Sequence, residues 1–464
     1  MSAARGTISK TLVRRLLEAL SNSIQPTAMF HRHHIRCLLP VLMAVVLFVL
    51  AACGPIIPPP IQPEVVEPEP VEAAEEAPAT DMADVEVPAL VIWSDEARVP
   101  ALQAMGDRFA EDFGVEVDVV GKPLSDILAD YKVALGAGST EPDILFGGSD
   151  WLGLLASNEV IAPIDLTPWQ DHFGAGVLRS MSYEGVQYGV PVTADSLALF
   201  YNTDLVAEVP ATWGGTADVA YGLMQEGSVE LGIAVNSYSP FDIYPVVTGR
   251  GGDLFAWNAD TGFDVESPLL GSQATVDAIL FLQSLGGAGV TNPTLAGAEL
   301  ERLVNEGRVP FMVSGPWNLD RVRQSPVNWS VAAFPDGGSS FVNVLGYMLN
   351  ARGPDPLFAW HFLQSQVLTD AGMEALQAAA PGIPAWLPIL DGLDDPMMAQ
   401  MGRIAAQGRA VPTIPEMPEV WKVWGEAQFA VVGEGADAQA AYATAGSKLD
   451  DILALRLAAQ KTSE

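Results

Sequence analysis

From residue 89 onward two apolar patterns alternate along the chain. Residues 89–93 form a short apolar run of the buried-strand type. Leu102, Met105, Phe109 and Phe113 then recur near helical spacing, and Gly114 closes that helix. Residues 115–120 read as a second strand. Leu124, Ile127, Leu128, Tyr131 and Leu135 mark a second helix, and 143–146 is a third strand ended by Gly147 and Gly148. Strands alternating with helices predict a parallel sheet covered by helices, with a ligand crevice at the C-terminal strand ends. Trp93, Asp95, Glu96, Phe146, Asp150 and Trp151 fall at those ends.

The stretch 189–205, GVPVTADSLALFYNTDL, has a different pattern. An apolar run at 190–192 is followed by a small polar break, 193–196, that holds Asp195, and then by a second apolar run, 197–201. This predicts either a surface turn between two core strands or a crossing between two globular bodies. In the second case Asp195 faces the cleft, a favoured ligand site. Beyond it, 231–235 reads as a strand, 241–247 as a helix or loop, and 273–285 and 298–305 as helices. A strand at 309–313 runs into Ser314-Gly315-Pro316-Trp317. Residues 341–349 are strand-like and suit a second crossing, 357–368 and 369–380 are helical, and Asp394-Asp395-Pro396 suits a third crossing. Leu449, Ile452, Leu453 and Leu457 give the last helical stripe. No segment repeats another.

Ahead of this body lies an address. Residues 29–54 read MFHRHHIRCLLPVLMAVVLFVLAACG, a basic start followed by an uncharged apolar run at 38–52. That length suits a signal-peptide core and is short for a spanning helix. The run ends in Leu50-Ala51-Ala52-Cys53-Gly54, which resembles the lipobox of bacterial lipoproteins and implies that Cys53 is lipidated and opens the mature chain. Met29 is an alternative start. Residues 55–88 are rich in Pro, Glu, Val and Ala and cannot bury enough apolar surface to offset ordering, so they read as an acidic tether. The expected organisation is a signal segment at 1–52, a lipidated tether at 53–88, one lobe from 89–194 plus 345–395, and a second from 195–344 plus 396–464. A body of about 375 residues exceeds a single core.

Charge and chemistry narrow the function. The formal net charge is −34, and −39 once residues 1–52 are removed, which argues against nucleic acid and anionic membrane surfaces as partners. Both cysteines, Cys37 and Cys53, precede the body, so its stability rests on an apolar core rather than a disulfide. With His172 and His361 far apart and no cysteine, thiol–histidine catalysis is excluded, and neither a metal nor a cofactor is expected. Walker A, G-x-S-x-G and dinucleotide fingerprints are absent. Asp150 and Asp195 together would also suit a secreted glycosidase, although any chain of this length offers spare carboxylates.

The motifs LVIW at 90–93, PDILF at 142–146, the stretch 189–205, GRVPFMVSGPW at 307–317, TDAG at 369–372 and IPEMPEVW at 414–421 occur in one order. Over about residues 89–453 this order resembles the extracellular solute-binding proteins of ABC importers, in their maltose/maltodextrin-binding branch. The resemblance implies an α/β, two-lobed periplasmic-binding-protein fold with three interlobe crossings, the class II type. It implies a monomer, held outside the cell by its lipid anchor. Such a protein captures an oligosaccharide (maltose, maltodextrin or a related α-glucoside) and delivers it, unaltered, to the transmembrane subunits of an ABC permease. For the site it implies that Asp150 bonds sugar hydroxyls, that Asp195 replaces a family Glu, and that Trp317 and Trp421 stack on sugar faces. Around Trp93 the loop offers Asp95, Glu96 or Arg98. Trp151 stands where the family has Arg, and Ser239 and Phe241 stand where it has Glu and Tyr. Carboxylates accept directed hydroxyl bonds and flat rings cover C–H faces, which is what a pyranose requires. Without the resemblance, Trp317 reads as core and Asp150 as a helix cap.

Overall fold

The computed structural model describes residues 89–463, apart from Thr140, Glu141, Asp260 and Ala296. The signal segment, Cys53 and the tether lie outside the described residues. β1 (Leu90–Asp95), β2 (Val117–Lys122) and β3 (Ile144–Gly148) alternate with α1 (Val99–Phe113) and α2 (Leu124–Gly136), as the apolar spacing predicts. β1 pairs in parallel with both β2 and β3. Leu102, Met105 and Phe109 are fully buried, and Gly114 ends α1 at φ 70°, in the left-handed region that favours glycine.

α3 (Ser149–Ser157) follows, then a small hairpin, β4 (Ser182–Tyr183) and β5 (Val186–Gln187), and the pair β6 (Gly189–Ser196) and β7 (Ala198–Asn202). The polar residues 193–196 do not interrupt β6. They pair with residues 342–345 on one side, and Thr193 and Ala194 pair with residues 383–384 on the other, so Leu197 alone separates β6 from β7. Pro191, which has no N–H, sits at the bulge in this ladder.

The chain continues through β8 (Ile233–Ala234), α4 (Pro240–Gly249), the hairpin β9 (Phe255–Asn258) and β10 (Gly262–Pro268), α5 (Gln273–Gly287) and α6 (Gly297–Asn305). β11 (Phe311–Ser314), β12 (Trp329–Ala332) and β13 (Phe341–Leu349) come next. A wide π-type turn, Leu363–Val367, follows α7 (Pro356–Phe362) and separates it from α8 (Asp370–Ala379). The chain ends with β14 (Ile383–Pro384), α9 (Pro396–Ala405), β15 (Arg409–Ala410), α10 (Met417–Glu434) and α11 (Ala438–Ser463). Asp395 caps α9 by accepting from the N–H groups of Met397 and Met398.

These strands form two main sheets. The seven-stranded sheet runs β14-β6-β13-β3-β1-β2, with β15 also on β13, and the four-stranded sheet runs β12-β7-β11-β8. Unlike β1–β3, the strands β6 and β13 run antiparallel to each other, and β13 runs antiparallel to β3. The chain leaves the seven-stranded sheet at Ser196, joins the four-stranded one at Ala198, and returns at Phe341. Three buried apolar clusters hold the body together. One lies under β1–β3, one under α4, α5, α10 and α11, and one contains side chains of both sheets, from Leu145 and Met348 to Phe200, Met312 and Trp329. Among the described residues no helix is long and apolar enough to cross a membrane.

Candidate ligand-binding cleft

The turn from β3 to α3 positions Asp150. Gly148 precedes the helix, and a Cβ there would stand 2.3 Å from Asp150 Oδ1, so only glycine lets the carboxylate fold back. Asp150 is the second residue of α3 and not its cap. Asn343 Nδ2 donates to Asp150 Oδ1 at 2.9 Å, and Trp421 Nε1 donates to Oδ2 at 3.1 Å. Ser149 Oγ in turn donates to Asn343 Oδ1 at 2.8 Å, which fixes the amide. With Asp150 only 8% exposed, burial raises its pKa, and the bonds from Asn343 and Trp421 offset part of that rise.

Asp195 on β6 lies directly opposite Asn343 on β13. Opposed residues share a sheet face, so Asp195, Asn343 and Asp150 belong to one polar cluster. Solvent reaches Asp195 through a cavity of about 390 Å³ bordered by Asp95, Arg98, Thr193, Asp195, Gly382 and Trp317. Protein dominates its surroundings otherwise. Burial pushes its pKa up to about 6, with Asp95 and Asp150 adding to the rise and Arg98 opposing it. Arg98 is itself buried. Its backbone N–H bonds Asp95 Oδ1 at 3.2 Å, its guanidinium bonds Asp95 Oδ2 at 2.6 Å and the Ala380 carbonyl at 3.2 Å, and it lies over the Phe146 ring. This cation, one of three candidates in its loop by sequence, faces the cavity.

Trp317 follows β11 in a short 3-10 turn, Pro316–Asn318. All 11 tryptophans are described, and Trp317 alone is exposed, at 50%. Its ring lies over Gly315, where a Cβ would come within 2.1 Å of it. Besides the cavity on the Asp195 side it borders a second of about 650 Å³, lined by β8, the start of α4 and the segment before α6.

Trp421 in α10 is half-buried. Phe341 meets its ring edge-on at 5.3 Å, Trp424 stacks at 6.1 Å, and its N–H is engaged by Asp150. Phe241 is half-buried and stacked on Phe341 at 6.2 Å, within the same aromatic group. Trp151 lies over Gly147, where a Cβ would come within 2.3 Å of its ring. Glu96 is solvent-exposed in the turn that ends at Arg98. Neither Trp151, Glu96 nor Phe241 borders the two cavities. Asn343 was missed by the sequence reading; a lone amide within the apolar run of β13 was the signal available.

Two sheets exchanging strands, with a carboxylate and an exposed indole on a shared cavity, are features of a binding protein that encloses a small polar ligand. Residues 104–401 match the family of bacterial extracellular solute-binding proteins, and the chain belongs to it. It is similar to the maltotriose-binding protein of Pyrococcus abyssi (strain GE5 / Orsay), 25% identical over 325 residues that cover 66% of this chain and 69% of that protein. It is also similar to two proteins of Bacillus subtilis (strain 168). One is a galactooligosaccharide-binding protein, 23% identical over 350 residues, and the other a maltodextrin-binding protein, 21% identical over 349; each match covers 72% of this chain and 82% of the relative.

Proposed function

We propose that this protein captures an oligosaccharide, a maltodextrin or a related chain, and hands it unaltered to the membrane subunits of an ABC permease. The observation that carries this is Trp317. A large apolar ring left half in solvent above a carboxylate-lined cavity is a costly arrangement unless a ligand covers it. A pyranose face matches the ring, and pyranose hydroxyls match Asp195 beside it. The relatives agree on an oligosaccharide and differ in its sugar, which supports the class and leaves the linkage to experiment.

The body is two-lobed in this reading, with lobes of 89–194 plus 345–395 and 195–344 plus 396–464. Crossings in the stretch 189–205, in 341–349 and at Asp394-Asp395-Pro396 act as hinges of the class II type. Asp150 and Trp421 order the cleft through their mutual bond and turn toward the sugar as the lobes close. Cys53 carries the lipid that retains the protein, as a monomer, outside the cell membrane. Micromolar affinity needs about −8 kcal/mol. Stacking and charged hydrogen bonds of about 1.5–3 kcal/mol each reach that value only with water excluded, which is why closure belongs to the mechanism.

The test is thermal unfolding against purified malto- and galacto-oligosaccharides. A true ligand at about 100 times its dissociation constant adds about 2.7 kcal/mol of stability. No shift with any saccharide would refute the reading. Chromatography of the sugar afterwards separates binder from glycosidase, because a shortened chain would make the carboxylates catalytic.

A further inference from the structure

Resting on the two-lobed reading, we propose that Ser196 and Ser340 form the pivot of closure. Ser340 ties the crossing segments in the arrangement described above, and Ser196 gains its partner when the lobes turn. The anchors on either side locate this pivot. Ser339 is fastened to α4, its N–H donating to Thr248 Oγ1 at 2.8 Å and its carbonyl accepting from the same hydroxyl at 3.0 Å. Val342 is already paired with Ser196 in the seven-stranded sheet. Ser340 and Phe341 are all that lies between, just as Leu197 is all that separates β6 from β7. A turn of one lobe against the other has to be absorbed by the torsions of such short connections.

Ser340 is 1% exposed, and its bonds reach each segment that passes it. Its Oγ accepts the Leu197 N–H at 2.9 Å and donates to the Phe341 carbonyl at 2.7 Å. Leu197 is buried and lies just beyond the last β6–β13 pair, so the hydroxyl takes over its N–H where the ladder stops. The Ser340 carbonyl accepts the Arg409 N–H at 2.9 Å, on the chain that comes back through α9. Gly408 permits that approach, since a Cβ there would stand 2.6 Å from Val342 Cγ2. Ser196 is the counterpart. It is also 1% exposed, and among the described residues its Oγ has no hydrogen-bond partner. A buried polar group left in that state costs free energy, and native structures leave few of them. Ser340 therefore favours the present arrangement, and Ser196 opposes it in favour of one in which its hydroxyl is bonded. The balance between the two sets how much of each arrangement is populated.

Small-angle scattering of the purified protein, with calorimetric titration against maltotriose and galactotriose, tests this. Neither serine borders the two cavities that Trp317 joins, so neither variant removes a contact to a sugar there. Ser340→Ala loses the tie and should shift the population away from the present arrangement. Ser196→Ala loses the unpartnered hydroxyl and should shift it the other way. Radius of gyration and sugar affinity should therefore move in opposite directions in the two variants, affinity by about threefold or more each way. Serines with a structural role alone would alter the thermal midpoint and leave both readings at wild-type values. Movement in the same direction, in one variant only or in neither would overturn the pivot. Should Ser340→Ala not fold, Ser196→Ala decides alone: a shift supports the pivot and none overturns it. If the wild type bound neither sugar, the carbohydrate reading would fall, and the radii of the two variants without sugar would still judge the pivot.

Discussion

Replacing Trp317 with alanine is the most direct perturbation of the cleft. A tryptophan side chain can bury roughly 150–250 Å². Trp317 is 50% exposed, so roughly 100 Å² is left for a ligand to cover. At about 25 cal/mol per Å² that surface is worth about 2.5 kcal/mol, or about 70-fold in affinity. A sugar covers one face of the ring, which sets a lower bound of about tenfold. The exposed half contributes little to folding, so the thermal midpoint should barely move. Gly315→Ala supplies the companion test. A methyl group there would meet the indole within 2.1 Å and push the ring off its seat without deleting it. Calorimetry on both variants should therefore show losses of similar size, one from a missing ring and one from a displaced ring. Affinity within about twofold of wild type for Trp317→Ala would remove the indole from the site. A weak Trp317→Ala beside a normal Gly315→Ala would show that the ring counts but its seat does not.

Asp195, with its pKa near 6, predicts a pH dependence. Between about pH 4 and 6 the folded protein holds more protons than the unfolded chain, whose aspartates titrate near 3.9, so this group adds stability as pH falls through 6. Asp195→Asn should flatten that slope in urea titrations, and its sugar affinity should stay level below about pH 6, where the wild type's should drop; equal pH profiles for the two would refute the role of Asp195. Trp421→Phe leaves Asp150 Oδ2 without its donor and should cost about 1.5–3 kcal/mol in urea unfolding at neutral pH, a deficit that shrinks in acid because burial already raises the Asp150 pKa. An unchanged midpoint would dismiss that bond. Gly346→Ala places a Cβ 2.2 Å from the Val190 carbonyl across the β6–β13 bulge and should cost about 1–3 kcal/mol, read from the same titration; no loss would mean the two strands can part there freely.

Much of the framework could be read in advance, because apolar periodicity is a local property. β1, β2 and β3 with α1 and α2 follow directly from it, and so do the helix from Gln273 and the strand from Phe341. Residues 193–196 misled for the same reason. Small polar residues resemble a turn in one dimension, whereas here they form a narrow strand with neighbours on both sides. The hairpin of β9 and β10 was passed over although its signal was present, since Phe255, Trp257, Phe263 and Val265 alternate with Asn258, Asp264 and Glu266 as half-buried strands do. In the cleft, Trp317 and Asp195 were legible as residue types in a recognisable order. Asn343 was not, since its importance lies in being opposite Asp195 and beside Asp150, which are contacts across more than a hundred residues of chain.

The pair of indoles in α10 has an optical consequence. Trp421 and Trp424 lie 6.1 Å apart with planes 20° from parallel, close enough for their excited states to mix and produce a paired signal in near-ultraviolet circular dichroism. Only one of the pair touches Asp150. Trp424 is tied instead to Tyr442 in α11, so a movement that parts Trp421 from Asp150 would free one ring to turn against the other, and the dichroism would report it with no dye or tag required.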